Sequence, residues 1–153
     1  MSSISTRRLT KELKDLTTKG APPGINLLKA DDLSSWLLTI EVPGDNLYQG
    51  ETFCLKFTFG PQYPIDSPTV VFVVNGVFKA PIHPHVYSNG HICASILGDE
   101  WNPLLSAQTV CLTIQSMLAS CTDKSAPKDN DRYIRRATNS PKDATFVYHD
   151  DTV

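Results

Sequence analysis

The chain has 153 residues, of which 41% are hydrophobic and 20% charged, and its formal net charge at pH 7 is −2. These values are typical of one globular domain that buries a core without a metal or a disulfide. Phosphate binding needs a concentrated basic surface, so nucleic acid is excluded as a general partner. No apolar window reaches the length of a membrane span, and no secretory signal is evident near the N-terminus. We therefore expect protein partners, no nucleic acid, no membrane, and a cytoplasmic and nuclear location.

The first half of the chain passes from a helical to a strand-like apolar period. Leu9, Leu13 and Leu16 recur at the spacing of an amphipathic helix, which the proline- and glycine-rich residues 20–24 end. Two later segments, residues 36–42 and 52–59, alternate apolar and polar side chains, as strands with one covered face do. Residues 69–74 are predicted to form a third strand, which is apolar enough to be covered on more than one face. Short links between these strands favour an antiparallel meander.

The second half opens with an irregular segment. Residues 80–103 show no period, and a long segment of this kind inside a compact domain is usually functional or disordered. Ser106 is the predicted N-cap of a helix that should pack on the sheet. Its apolar stripe consists of Val110, Ile114, Met117, Leu118 and Cys121. A short helix is predicted over residues 129–137, and the remaining polar residues are expected to be mobile.

The four cysteines lack CxxC spacing, and a reducing compartment would keep them as thiols. Cys54 lies in a strand-like run, while Cys111 and Cys121 lie in or just after the helical pattern, so all three are predicted to be small buried hydrophobes. Cys93 differs because it follows a polar stretch with a turn signal at Asn89-Gly90. We therefore expect Cys93 near the surface.

Histidines accompany Cys93 in the irregular segment, at positions 83, 85 and 91. One interpretation is a zinc site, because His and Cys are the usual ligands. The spacing, HxH followed five residues later by HxC, is not a familiar ligand pattern. The other interpretation is nucleophilic catalysis: a thiol with a pKa near ~8.5 is a few per cent thiolate at neutral pH and attacks an acyl group without a dedicated base.

The sequence resembles the ubiquitin-conjugating enzyme family over about residues 4 to 121. The motifs that carry the resemblance occur in order and at matching spacing, and they are Tyr63-Pro64, Ser67-Pro68, His83-Pro84-His85, Ser88-Asn89-Gly90, Ile92-Cys93, Ile96-Leu97 and Trp101-Asn102-Pro103. The resemblance implies an α/β (α+β) fold, with a four-stranded antiparallel meander, an N-terminal helix and a long helix after the active-site cysteine. The fourth strand is expected in the irregular segment before Cys93. Residues 1–121 would form the catalytic core, and residues 122–153 a divergent, mobile C-terminal segment of the same domain.

The residue at position 85 points to one branch of that family. Relatives usually have asparagine there, which is thought to hold the active-site loop and to stabilise the oxyanion, and His85 could replace it through a ring N–H. The run from His83 to Cys93, together with the ending Tyr148-His149-Asp150-Asp151-Thr152, resembles the W-type branch. That branch is associated with attaching a single ubiquitin to the α-amino group of substrate N-termini.

The resemblance also implies roles for individual residues. Catalytic roles fall to Cys93, His85 and His83, although His83 could instead only shape the loop. The ligase-binding residues would be Ile65, Pro64, Trp101 and Pro103, and the residues that bind the activating enzyme would be Arg7, Arg8 and Lys11. Substrate contacts would come from His91, Asn89 and Tyr148, with His91 otherwise an exposed loop residue. The implied partners are ubiquitin, ubiquitin-activating enzyme, RING-type ubiquitin ligases and substrates with flexible N-termini. No metal or organic cofactor is expected on this chain, since the activating enzyme consumes the ATP.

The choice of acceptor amine remains open between two classes. Lysine-directed relatives often carry acidic residues after the long helix, whereas this chain has Asp123-Lys124-Ser125, which dilutes the negative charge. A lysine with a pKa near ~10.4 is almost wholly protonated at pH 7, while an α-amine near ~7.7 to 8.0 is partly neutral. A site with little help for deprotonation therefore favours the α-amine. The rival hypotheses are a lysine-directed conjugating enzyme and a non-catalytic adaptor that binds ubiquitin or ligases.

The apolar cluster Phe146-Val147-Tyr148 also has two interpretations. It could form a satellite patch on the core. Alternatively, a loose tail would leave the cleft near Cys93 open to flexible N-termini.

Overall fold

The computed structural model of the chain describes residues 3–137 and 140–143. The helices and strands in this part follow one another in the order α1 (Ile4–Thr18), β1 (Ile25–Asp32), β2 (Ser35–Glu41), β3 (Thr52–Thr58), β4 (Thr69–Phe72), α2 (Ala107–Ala119) and α3 (Asn130–Arg136). Short 3-10 helices cover Ser95–Leu97 and Pro141–Asp143. Among the described residues, no helix is both long and apolar enough to cross a membrane.

The four strands form one antiparallel sheet in the order β1-β2-β3-β4. The expected α/β fold, with a meander, an N-terminal helix and a long helix after Cys93, is confirmed. The register places Trp36 opposite Phe57 and Leu38 opposite Leu55, and all four side chains are buried. α2 covers this core with its own buried residues Ala107, Val110, Cys111, Ile114 and Leu118. Each large apolar side chain buried in this way contributes about 1.5–3 kcal/mol to the stability of the fold.

Both long helices begin at a serine. The Ser3 Oγ accepts the Thr6 N–H at 3.0 Å, and the Ser106 Oγ accepts the Thr109 N–H at 3.2 Å. These bonds satisfy backbone donors that have no partner within the helix. The predicted N-cap at Ser106 is confirmed, as is a short helix within residues 129–137.

The position of the fourth strand differs from the expectation. It is β1, directly after the first helix, and not part of the irregular segment before Cys93. β1 forms an edge of the sheet, and its pairing with β2 shifts register between Leu27 and Lys29 and again between Lys29 and Asp32. Because such irregularities break the alternation of faces, no period of two is visible in this part of the sequence.

Candidate active site

Backbone hydrogen bonds, and not a helix or a strand, hold the segment that leads to Cys93. Antiparallel bridges pair His83 with Val86 and Val86 with Ile92. The Cys93 N–H then donates to the His85 carbonyl at 2.8 Å. The segment therefore folds back on itself, and this places the backbone of His85 against that of Cys93.

Gly90 sets how closely this segment approaches the sheet. Its φ of +93° lies in the left-handed region that favours glycine. A Cβ at this position would lie 2.0 Å from the carbonyl oxygen of Phe72. The Gly90 carbonyl accepts the Phe72 N–H at 2.9 Å, and a bridge beside it pairs His91 with Val71. Only a residue without a side chain fits between the loop and β4.

Cys93 lies beside a groove between this loop and α2. The cavity has a volume of about 610 Å³, and His85, Ala94 and Ser95 form the part of its wall next to Cys93. Cys93 itself is only 6% exposed. The expectation of a surface position is therefore wrong, because the backbone bond to His85 draws Cys93 into the fold. Its neighbours in the loop, and not Cys93 itself, line the groove.

The other three cysteines are buried, as predicted. Burial raises the pKa of the Cys54 thiol and raises that of Cys111 to about 12. The Cys121 Sγ accepts a hydrogen bond from the Tyr48 hydroxyl at 3.4 Å and donates to the Asp123 carbonyl at 3.3 Å. A high pKa or an internal hydrogen bond makes each of these thiols a poor nucleophile, since the thiolate is the reactive form.

His83 is completely buried and contacts the loop backbone. Its exposed fraction is 0%, and its Nδ1 accepts the His85 N–H at 2.9 Å. Burial, and then the neighbouring His85 ring, lower the pKa of His83 to about 4, against an opposing effect of the Met117 carbonyl. The neutral ring therefore carries its proton on Nε2, which has no partner of good hydrogen-bonding geometry among the described residues. A fully buried ring cannot contact a substrate, so the structure favours the loop-shaping role of His83 over a direct catalytic one.

His85 is the imidazole that lines the groove next to Cys93. Its ring meets the His83 ring edge to face, with the centroids 5.5 Å apart and an angle of 82° between the planes. Its N–H is bonded to His83 and its carbonyl to Cys93, so both neighbours fix its position. Its role toward an oxyanion stays a prediction.

α3 packs against the same loop, a contact that the sequence did not predict. Asn130 accepts the Ser88 N–H through Oδ1 at 2.9 Å and donates through Nδ2 to the Ser88 Oγ at 3.1 Å. The Asp129 carboxylate accepts the Tyr87 hydroxyl at 3.2 and 3.3 Å. The Tyr133 ring stacks on Tyr87, with the centroids 3.8 Å apart. A helical pattern indicates that a face is buried but not what covers it, so these contacts had no signal in the sequence.

His91 is buried under α3, and the expectation of an exposed loop residue is wrong. It is 5% exposed, and its Nδ1 lies 2.8 Å from the Tyr133 hydroxyl. Its N–H donates to the Oδ1 of the half-buried Asn89 at 3.1 Å. Burial lowers the pKa of His91. Burial, followed by the charges of Cys93 and Asp129, raises the pKa of Tyr133 to about 12, so both rings are neutral at pH 7.

Two loops place apolar side chains on one surface, which we call the two-loop face (Ile65, Pro103 and Leu104). Ile65 is 67% exposed and Leu104 is 91% exposed. The Trp101 indole N–H donates to the Pro64 carbonyl at 2.9 Å and so joins the two loops. Pro64 itself is buried. The bond between Trp101 and Pro64 therefore holds the two loops together, and the exposed side chains of the two-loop face are available for contact.

α1 anchors both loops through Glu12. The Glu12 carboxylate accepts the Tyr63 hydroxyl at 2.5 Å and the Ala107 N–H at 2.9 Å. It also pairs with Arg8 at 3.0 Å. Arg8 in turn donates to the Pro103 carbonyl at 2.8 Å and to the Leu105 carbonyl at 2.6 Å, both in the loop that precedes α2. Partly buried charge-assisted bonds of this kind are stronger than hydrogen bonds between neutral groups.

The three basic residues of α1 therefore differ in availability. Arg8 is engaged within the protein, whereas Arg7 and Lys11 are exposed. The assignment of these residues to the activating enzyme stays a prediction.

The remaining expectations concern metals and the C-terminal end. In the part of the chain that the structure describes, no three His, Cys, Asp or Glu side chains group as metal ligands, so the zinc interpretation of the histidines gains no support. Tyr148, with the Phe146-Val147-Tyr148 cluster, lies outside the described residues. The division of the chain at residue 121 stays a prediction.

Comparison with known proteins identifies the class. The family description "Ubiquitin-conjugating enzyme" matches residues 8–147. The chain therefore belongs to the ubiquitin-conjugating enzyme family. This membership is consistent with a transferase that works through a cysteine thioester. Such enzymes work with ubiquitin, an activating enzyme and ligases.

Individual relatives are similar over nearly their full length. "Probable ubiquitin-conjugating enzyme E2 W" of Dictyostelium discoideum and "Ubiquitin-conjugating enzyme E2 W" of Caenorhabditis elegans are each 47% identical to this chain, and each match covers 100% of both proteins. The crystal structure of the ubiquitin-conjugating enzyme UbcA1 from Agrocybe aegerita is similar with a TM-score of 0.90 and 59% identity. That match covers 92% of this chain and 99% of the other.

The close approach at Gly90 predicts an unequal response of two glycines to alanine. Gly44 also has a positive φ, +89°, but a Cβ there would meet nothing within 4 Å. Gly44→Ala should therefore lower the free energy of unfolding, measured in urea, by only about 1–2 kcal/mol, the cost of a left-handed backbone at a residue with a side chain. Gly90→Ala should lose more than this, because its Cβ meets the Phe72 carbonyl. Equal losses in the two variants would contradict this account of the loop.

The buried neutral His83 predicts a dependence of stability on pH. Its pKa is about 4 in the folded protein against an ordinary 6.5, so the unfolded chain binds more protons between these values. The free energy of unfolding should then fall as the pH falls from about 6.5 to 4, by up to about 1.4 kcal/mol per pH unit from this group. His83→Gln should show a shallower slope in urea unfolding across that window. His91 is present in both proteins, so its contribution cancels, and identical slopes would refute the assignment.

Proposed function

We propose that this enzyme accepts ubiquitin on the Sγ of Cys93 and transfers it, one at a time, to the α-amino group of protein N-termini. The observation that carries the proposal is the position of Cys93 beside the groove, whose wall includes His85, Ala94 and Ser95. All four thiols are buried, but a raised pKa makes Cys54 and Cys111 poor nucleophiles, and Cys121 is hydrogen-bonded within the fold. Cys93 is thus the thiol best placed to meet an acyl group.

The transfer has two steps. First, the Cys93 thiolate attacks the ubiquitin C-terminal carbonyl held on a thiol of the activating enzyme, and that thiol leaves with the electron pair of its C–S bond. The activating enzyme has already consumed the ATP, and no metal or organic cofactor on this chain takes part. Second, an amine nitrogen attacks the new thioester and the Cys93 thiolate leaves. His85, at the groove next to Cys93, steadies the loop or the oxyanion during this step.

Three observations support an α-amine as the acceptor. Relatives named E2 W match the chain at 47% identity over its full length, and the His-Pro-His run of the W-type branch is present. Lys124, just after α2, is paired with Glu51 at 2.8 Å. The Asp129 carboxylate, which the sequence interpretation did not include, is bonded to the Tyr87 hydroxyl. A site whose acidic groups are already engaged favours the amine that needs least deprotonation.

Loading and discharge test this proposal. The enzyme is charged by activating enzyme, ATP and labelled ubiquitin, and is then offered a lysine-free peptide with a free N-terminus, the same peptide acetylated, or free lysine. We expect a thiol-reducible adduct that discharges to the free peptide much faster than to lysine, and no discharge to the acetylated peptide. Single-turnover gels measure each rate.

A matched pair of cysteine variants controls for folding. Cys93→Ala should form no adduct, whereas Cys121→Ser, at a cysteine with the same 6% exposure, should load as the parent does. Discharge mainly to lysine would contradict the α-amine specificity and favour the lysine-directed rival. If the parent protein forms no adduct at all, the result would favour the hypothesis of a non-catalytic adaptor.

The two-loop face supports a second part of the proposal, the binding of RING-type ligases. Its exposed members Ile65, Pro103 and Leu104 lie on loops that Trp101 and Glu12 hold rigidly. Rigid apolar anchors lose little conformational entropy on binding, which is the usual property of a docking surface.

Substitution of Ile65 tests this surface. Ile65→Asp should abolish most of the acceleration of discharge by a RING ligase, by roughly 30-fold if Ile65 is an anchor worth about 2 kcal/mol. Discharge without ligase should stay at the parent rate. Leu28→Asp, at an exposed position on β1 and thus at the opposite edge of the sheet from β4, is the control and should keep the acceleration. A parent-like response of Ile65→Asp to several RING ligases would exclude this face.

A further inference from the structure

His91 and Tyr133 form a hydrogen-bonded pair that the transfer chemistry above does not use. The His91 Nδ1 and the Tyr133 hydroxyl are 2.8 Å apart, and the two rings meet nearly edge to face at 5.7 Å and 76°. His91 comes from the loop of Cys93 and Tyr133 from α3. The bond therefore joins the active-site loop to the helix that covers it.

Both members of the pair are held in fixed positions. The His91 N–H donates to the Asn89 Oδ1 at 3.1 Å, and the His91 carbonyl accepts the Tyr87 N–H at 2.9 Å. The Tyr133 ring stacks on Tyr87 at 3.8 Å. Groups that are fixed before reaction lose little entropy when they act, as proton transfer within an active site requires.

The pair also lies within electrostatic reach of Cys93. Burial is the main cause that raises the pKa of Tyr133 and of Tyr87, and the charge of a Cys93 thiolate raises both further. Within residues 3–137 and 140–143, the groups with charge or titrating protons that act on the pair include Cys93, Tyr87 and Asp129. His91 is two residues before Cys93 on the same loop, and Tyr133 is held against that loop by its stacking on Tyr87.

We propose that Tyr133 and His91 relay the proton that the acceptor amine must lose, a role that rests on the proposed transfer from Cys93. The amine nitrogen bonds to the thioester carbon, the C–S bond breaks, and its electron pair goes to the Cys93 Sγ. The nitrogen gives one proton to the Tyr133 oxygen while the Tyr133 hydroxyl gives its own to the His91 Nδ1, with Nε2 already protonated. The resulting imidazolium later releases a proton to water.

The acidities of Tyr133, His91 and the attacking nitrogen fit this relay. Tyr133, with a pKa raised to about 12, is neutral at pH 7 and cannot act as the base alone. His91 has a lowered pKa, so it is neutral and ready to accept, although it is a weak base. A weak base suffices because a nitrogen that has attacked a carbonyl is far more acidic than a free ammonium.

Two conservative variants test the relay in the full-length enzyme. Tyr133→Phe keeps the ring that stacks on Tyr87 and removes the hydroxyl, while His91→Gln keeps an acceptor that cannot take up a proton. We expect either variant to slow discharge to a free N-terminal peptide at pH 7 by about 10-fold to 100-fold, at the lower end of general acid–base effects. The loss should shrink toward pH 9, where hydroxide removes the proton instead. Arg132→Gln, an exposed neighbour on the same helix, should discharge as the parent does.

Hydroxylamine separates the relay from a structural role. Hydroxylamine is a much weaker base than an α-amine, so its nitrogen, once bonded to the thioester carbon, is acidic enough to give its proton directly to water. Both variants should therefore discharge to it within about twofold of the parent rate. Equal slowing toward hydroxylamine and peptide, or parent-like discharge to peptide in both variants, would overturn the relay. The amount of thioester formed before discharge is measured separately. A parent enzyme that forms none refutes the proposed function itself, whereas normal loading with an unaltered discharge refutes the relay alone.

Discussion

The position of Cys93 depends on a close approach between Gly90 and the backbone of Phe72. The segment from His83 to Cys93 has no regular structure, so its shape comes from a few backbone bonds and from its contact with the last residue of β4. A Cβ at Gly90 would stand 2.0 Å from the Phe72 carbonyl. Any other residue would push the loop off the sheet edge, and the groove beside His85 would move with it. The backbone contact between Gly90 and Phe72 thus fixes the position of the Cys93 loop on the sheet.

Glu12 has the corresponding role at the other end of the molecule. Its two carboxylate oxygens accept bonds from Tyr63, in the loop before β4, and from the first residue of α2. Glu12 also pairs with Arg8, which donates to the Pro103 carbonyl in the loop before α2. One carboxylate on α1 therefore fixes both halves of the two-loop face relative to α2. A ligase bound at that face would act on a rigid body that reaches from α1 to the groove wall.

The sequence predicted the architecture well because its main elements have clean periods. The helices α1 and α2 and the strand β2 bury one face each, and their apolar residues recur accordingly, whereas β3 also buries Cys54 and β4 lies in a continuous apolar run. β1 was missed because two register shifts on an edge strand remove the alternation. At the site, the motif around Cys93 identified the loop but not what covers it. The contacts of His91 and Tyr133 join residues 42 positions apart, and neither turn signals nor periodicity encode such a pair.

If Cys93 transfers ubiquitin to an amine as proposed, the neutrality of His83 and His91 links the fold to the choice of acceptor. Burial lowers the pKa of both His83 and His91, so neither is a cation at pH 7. An imidazolium next to the thioester would repel an approaching ammonium group and would have no capacity to take up its proton. A neutral imidazole does not repel the ammonium group and can take up its proton. The same packing that holds the loop therefore leaves the site receptive to an amine that arrives partly protonated and must end the reaction without its proton.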